Sequence, residues 1–195
     1  MFAWRSSQIC EFASTVSLAQ NRLTHVCQVK EIAEGLDYLH SEGIVHADLR
    51  CDNILINDQG CALLTGFARA KKIGVSGYST PLFTGSTRHL APEFFRNNVE
   101  VDVDTIFCKA TDIYAFAMVC FEVFTGDKPF STLRIDYRVI SALLKLRRPE
   151  AAPTVRDRIP HPIWEIMCGC WAQDSRQRPP STGDVMQALS TVNVQ

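Results

Sequence analysis

No run of apolar residues in this chain approaches the roughly 20 that a membrane-crossing helix needs. The longest uncharged stretch, Ile73 to Thr87, is filled with Ser, Thr and Gly. A basic excess is missing too: 20 Lys and Arg stand against 21 Asp and Glu, for a net charge of -1. Nothing therefore points to nucleic acid or to an anionic membrane as a partner. The N-terminus has no basic region followed by an apolar run, so no secretory signal is expected. Cys168-Gly-Cys170 lacks the Cys-x-x-Cys spacing of zinc sites, and no second pair follows it. No Gly-x-Gly-x-x-Gly occurs, and Lys30 is the only lysine before Asp48.

What is present fits one soluble domain. Apolar residues make up 46% and charged residues 21% of 195 positions, enough for a core and too apolar for disorder. The eight cysteines read as reduced thiols in a reducing compartment, which places the expected location in the cytoplasm.

The apolar positions Leu23, Val26, Cys27, Ile32, Ala33, Leu36 and Leu39 follow the three-four spacing of an amphipathic helix that stops near Ser41-Glu42-Gly43. Three short apolar runs follow, at 44–46, 54–56 and 61–64. Asn57-Asp58-Gln59-Gly60 is a turn signal joining the last two into a hairpin. Residues 68–90 carry no period and read as a long ordered loop, a feature that is usually functional. Thr111 to Phe124 is apolar on all its faces, the mark of a buried helix ended by Gly126-Asp127-Lys128-Pro129. Further helices are expected near 135–146, 161–172 and 182–192, the last opened by a capping box of Ser181 and Asp184. The fold class is mostly α with a small β-hairpin.

His46-Ala47-Asp48-Leu49-Arg50-Cys51-Asp52-Asn53 carries the chemistry. An Asp followed five residues later by Asn, between a helix and a hairpin, is the layout of a phosphotransferase loop. The Asp can accept a proton from a substrate hydroxyl, and the Asn can offer an oxygen to a magnesium ion that bridges phosphates. A cation two residues after the Asp, here Arg50, can lie against the transferring group.

From these residues outward the chain resembles the protein kinase family over roughly 22–192. His46-Ala47-Asp48 resembles the family's His-Arg-Asp, and Asn53 its metal-binding Asn. Thirteen residues further on, Gly66-Phe67-Ala68 stands where the family has Asp-Phe-Gly. Ala91-Pro92-Glu93 resembles the motif that closes the activation segment, Asp112 the aspartate that opens the buried central helix, and Arg176-Gln177-Arg178-Pro179 the C-terminal signature. Gly85 to Leu90 is similar to the substrate-docking segment of Ser/Thr kinases of the tyrosine-kinase-like group.

The resemblance implies a C-terminal kinase lobe over 21–195, with a catalytic loop at 46–53 and an activation segment at 66–93, preceded by an unmatched segment 1–20. It implies ATP and magnesium as cofactors, with Asp48, Arg50 and Asn53 catalytic, Asn53 on the metal and Leu55 under the adenine. It implies a scaffold role for His46, Phe67, Glu93, Asp112 and Arg178. Asp112 would accept the His46 and Ala47 backbone N–H groups, Glu93 and Arg178 would form a buried ion pair, and His46 and Phe67 would join an apolar spine. His25, His40, His89 and His161 are expected to be ordinary surface or core residues.

Three departures qualify the resemblance. Gly66 offers no side-chain metal ligand. Ala47 replaces the arginine that pairs with a phosphorylated activation loop. With only 47 residues before Asp48, an N-terminal lobe is expected to be absent. The expectation is a catalytically impaired, pseudokinase-like or truncated protein. It would act by protein binding or self-association through the face that an N-terminal lobe would cover, with nucleotide binding weak or lost. The alternative is an active ATP-dependent Ser/Thr protein kinase when complete. A small-molecule kinase shares the His-x-Asp…Asn loop but not Ala-Pro-Glu or the Arg178 signature.

Overall fold

The computed structural model describes residues 18–75, 86–95, 106–157 and 159–192. Most of the unmatched segment 1–20 and the middle of the activation segment, 76–85, lie outside the described residues. Helix α1 spans Leu18–Ser41 and begins before the expected Leu23. Strand β1, Ile44–Val45, leads into the catalytic-loop residues and a short turn of helix at Cys51–Asn53. Strands β2, Ile54–Ile56, and β3, Ala62–Leu64, pair antiparallel with Leu55 opposite Leu63, forming the expected hairpin. Its turn is built by Asn57, whose Oδ1 accepts from the backbone N–H groups of Gln59 and Cys61 at 3.0 and 2.9 Å.

The expected loop from 68 onward is partly regular. Strand β4, Lys71–Lys72, pairs antiparallel with β1, so the start of the activation segment is stitched to the entry of the catalytic loop. Helix α2, Lys109–Thr125, follows, with Gly126 as its C-cap. Then come α3 at Asp136–Leu144, the single turn α4 at Pro153–Arg156, α5 at His161–Cys170 and α6 at Thr182–Ser190. The Ser181–Asp184 capping box opens α6 as its sequence predicts.

Helix α2 is the axis of the core. Every residue from Thr111 to Val123 is buried, so the helix needs neighbours all round and finds them in α1, α5 and the catalytic loop. Fully burying one side chain of the size of Ile113, Phe116 or Met118 is worth about 1.5–3 kcal/mol. This row is thus a large apolar contribution to a fold that must offset its conformational entropy. Helix α1 packs on α2, α6, β1 and β3. It lets the hairpin approach through Gly35, where an added Cβ would press on the Leu64 side chain at 3.2 Å.

The hairpin alternates with period two. Ile54, Ile56 and Ala62 are buried beneath it, while Leu55 is half-buried and Leu63 is 38% exposed on its outer face. The described cysteines are free thiols. Burial pushes Cys170 up to about 12 and raises Cys120 as well, which keeps both as unreactive core thiols.

Candidate functional site

Loop 46–53 hangs from the first turn of α2. Asp112 Oδ2 accepts from the His46 N–H at 2.7 Å, and Oδ1 from the Ala47 N–H at 2.9 Å. Two charge-assisted bonds to adjacent amides fix the backbone where Ala47 sits at φ 62, a conformation a non-glycine residue rarely adopts unless its surroundings impose it. His40, from the end of α1, places Nε2 2.9 Å from the same Asp112 Oδ2 and Nδ1 2.6 Å from Thr182 Oγ1 on α6. A carboxylate only accepts, so Nε2 carries a proton. His40 therefore joins three helices behind the loop, a role beyond that of the ordinary core histidine its sequence position implies.

The scaffold pair is present. Arg178 Nη1 and Nη2 donate to Glu93 Oε1 and Oε2 at 2.7 and 2.8 Å, a bidentate fork. The same guanidinium donates to the Ala172 and Ala110 carbonyls. Its side chain is 0% exposed and that of Glu93 25%, so the pair is buried at one end only. Arg88, in the segment resembling a substrate-docking strip, turns its guanidinium onto the carbonyls of Pro129, Phe130 and Leu133. Beside it, His89 faces Glu122 at 3.3 Å and Ser86 Oγ at 3.1 Å. Neither contact has a sequence pattern, because most of the partners are backbone carbonyls or residues tens of positions away.

On the front of the loop, Asn53 engages Asp48, while Arg50 turns to Asp52. Asn53 Nδ2 donates to the Asp48 carbonyl at 2.7 Å and to Asp48 Oδ2 at 3.1 Å. Arg50 Nη2 lies 3.0 Å from Asp52 Oδ2. His46 Nε2 reaches the Thr65 carbonyl at 2.8 Å, and its ring meets that of Phe67 at 5.2 Å between centroids. The two rings expected in the apolar spine touch one another, and Phe67 remains 48% exposed. Gly66 adopts φ 76 and ψ 35.

A family model described as protein tyrosine and serine/threonine kinase matches residues 11–189. The chain belongs to the protein kinase family. The match begins inside the segment 1–20 that the motifs leave unassigned. Among its relatives, mitogen-activated protein kinase kinase kinase 1a of Physcomitrium patens is 31% identical over 77% of this chain and 18% of its own length. MAP3K epsilon protein kinase 1 of Brassica napus is 28% identical over 77% of this chain and 11% of its length. Tyrosine-protein kinase csk-1 of Caenorhabditis elegans is 28% identical over 83% of this chain and 28% of its length. The chain therefore spans well under a third of these kinases.

Kinases work with ATP and magnesium, and the residues present can be tested against that need. A magnesium ion asks for near-octahedral oxygen donors. Here Gly66 supplies no side-chain donor, and Asn53 presents its amide nitrogen to the Asp48 carboxylate. This donor set does not fit the ion. No helix among the described residues is long and apolar enough to cross a membrane.

Proposed function

We propose that this kinase-family chain is a C-terminal lobe impaired in phosphoryl transfer that works by binding protein. The observation that carries the reading is Gly66, in the left-handed conformation where the family places a metal-binding aspartate, with Asn53 turned onto Asp48 beside it. Metal-based charge stabilisation is worth several kcal/mol, and each 1.4 kcal/mol is about tenfold in rate, so this one loss accounts for about a thousandfold. Ala47 removes the cation by which a phosphorylated activation segment would steer the loop. The outer face of the hairpin supports the binding role. Leu55 and Leu63 stand opposite one another on it, and Phe67 is accessible. Such apolar groups commonly serve as contact points when they form a patch. The partner is a protein with a complementary apolar face, and a second copy of this chain meets that description.

The rival reading, an ATP-dependent Ser/Thr protein kinase, draws on the intact Asp112 clamp and on a half-buried Asp48 that remains reachable. Thermal melting with magnesium and ATP, paired with a peptide phosphorylation assay, separates the two. A dissociation constant no tighter than about 1 mM means that 1 mM ATP adds about 0.4 kcal/mol or less, a rise under about 2 °C. No phosphopeptide should form. A rise of several degrees, with transfer abolished by Asp48→Ala, overturns the proposal.

A further inference from the structure

We propose that the groove between α5 and α6 docks a basic amphipathic helix of a partner protein. The groove encloses about 380 Å³. Ile166 and Gly169 line it from α5, and Val185 and Ala188 from α6, so each helix turns one face toward it. Glu165 and Asp184 add one carboxylate from each side, and no Lys or Arg lines it among the described residues. Neither loop 46–53 nor the hairpin contributes a residue, so the groove is separate from the face invoked above.

Gly169 is a residue for which the fold itself gives no reason. A glycine within a helix costs roughly 0.5–1 kcal/mol relative to alanine. Nothing here requires one, since a Cβ added at 169 meets no atom within 4 Å and the backbone is not left-handed. A bare backbone does serve a chain that approaches from outside, and small Ala188 continues the opening on α6. The carboxylates are each held by one oxygen only. His161 Nδ1 lies 3.5 Å from Glu165 Oε1, and Ser181 donates its N–H and its hydroxyl to Asp184 Oδ2. The second oxygen of each forms no bond among the described residues and can accept from an ammonium or guanidinium. The nine residues of α6 make a wall of about 13.5 Å, which suits a docked helix of two to three turns. Its apolar residues, three and four apart, would lie on Ile166 and Val185, and its flanking Lys or Arg would reach Glu165 and Asp184. An acidic helix would meet two like charges there, so the charge of the rim selects the basic one.

The test uses the full chain and a fluorescein-labelled helical peptide of two Leu-Lys-Lys-Leu-Leu-Lys-Leu heptads, read by anisotropy. The peptide should bind with a dissociation constant of about 100 μM or tighter, and its counterpart with Glu in place of Lys should not. Gly169→Leu fills the groove and should weaken binding at least about tenfold, and Glu165→Lys about threefold or more. Gly169→Ala should leave the melting midpoint unchanged or raise it by up to about 3 °C, because the fold does not use the glycine. No binding, equal binding of the acidic peptide, or undiminished binding to Gly169→Leu overturns the proposal. Should Gly169→Leu fail to fold, backbone amide shifts of the unsubstituted chain decide. Shifts gathered in 162–169 and 184–191 on adding peptide support the groove, and shifts gathered elsewhere overturn it. Leu63→Lys, on the hairpin, should bind the peptide as the parent does. Loss of binding in that variant would move the contact to the hairpin and overturn the groove. Phosphopeptide formation with groove binding intact would sink the proposed function alone.

Discussion

The back and the front of loop 46–53 are held by different kinds of partner. At the back, the amides of His46 and Ala47 are gripped by Asp112, 66 and 65 residues away, and Asp112 is itself tied through His40 to Thr182. Those bonds cross from α2 through α1 to α6, and every group in them is buried. At the front, Asp48 and Asn53 hold each other across five residues, and Arg50 pairs with Asp52 two residues on. The kinase frame is thus retained by long-range buried contacts, while the side chains that would face substrate are satisfied locally. Different atoms thus serve the two ends of the loop.

If that division holds, the largest stability loss should come from the back. Asp112→Ala strands two buried amides and the His40 N–H at once. Removing one partner of such a network costs about 3–5 kcal/mol, so the midpoint should drop by about 10 °C or more, or the chain should fail to fold. Asp112→Asn keeps the shape but presents an NH2 group to one of those donors, so most of the loss should remain. A midpoint near that of the parent in either variant would mean that the loop is held from elsewhere.

Arg178→Ala comes next. It removes the fork to Glu93 and two bonds to backbone carbonyls. Glu93 is 25% exposed and water can take over part of its solvation, so the loss should fall near the low end of the buried-pair range, about 3 kcal/mol. Chemical denaturation of the two proteins measures it. A loss under about 1 kcal/mol would class the pair with surface ion pairs.

The sequence showed the frame more readily than the details that distinguish this chain. Helix α2 announces itself by an apolar run on every face, and the α6 capping box by two residues at fixed spacing. Strand β1 falls in the short apolar run 44–46, but its pairing with β4 leaves no trace, since two residues allow no alternation and Lys71–Lys72 has no apolar pattern. The link from His40 to Thr182 spans 142 residues and leaves no local trace. Gly66 was legible as a missing carboxylate. That Asn53 turns onto Asp48 follows from its rotamer, which no spacing encodes.

The smallest stability change is expected on the outer face of the hairpin, and there the comparison turns from folding to binding. Leu63 stands opposite Leu55 and is 38% exposed, whereas Ile54, Ile56 and Ala62 on the other face are buried. A charge at 63 removes little buried area and strands no hydrogen-bonding group, so Leu63→Lys should move stability by no more than about 0.5 kcal/mol. On a face that serves as a contact surface, the same ammonium must be desolvated when the partner docks, and that cost is large beside a single leucine's apolar contribution. The parent chain should therefore self-associate at tens of micromolar by light scattering after size exclusion, and Leu63→Lys should shift it to monomer with its melting midpoint nearly unchanged. Lysine is also the residue with which sheets commonly blunt unwanted pairing, so the substitution should not open a new association. Ile56→Lys, on the buried face of the same strand, is the contrasting variant, and it should unfold the hairpin region before any question of association arises. A parent that runs as a clean monomer, or a Leu63→Lys protein that associates as the parent does, would remove the hairpin face from the list of contact surfaces.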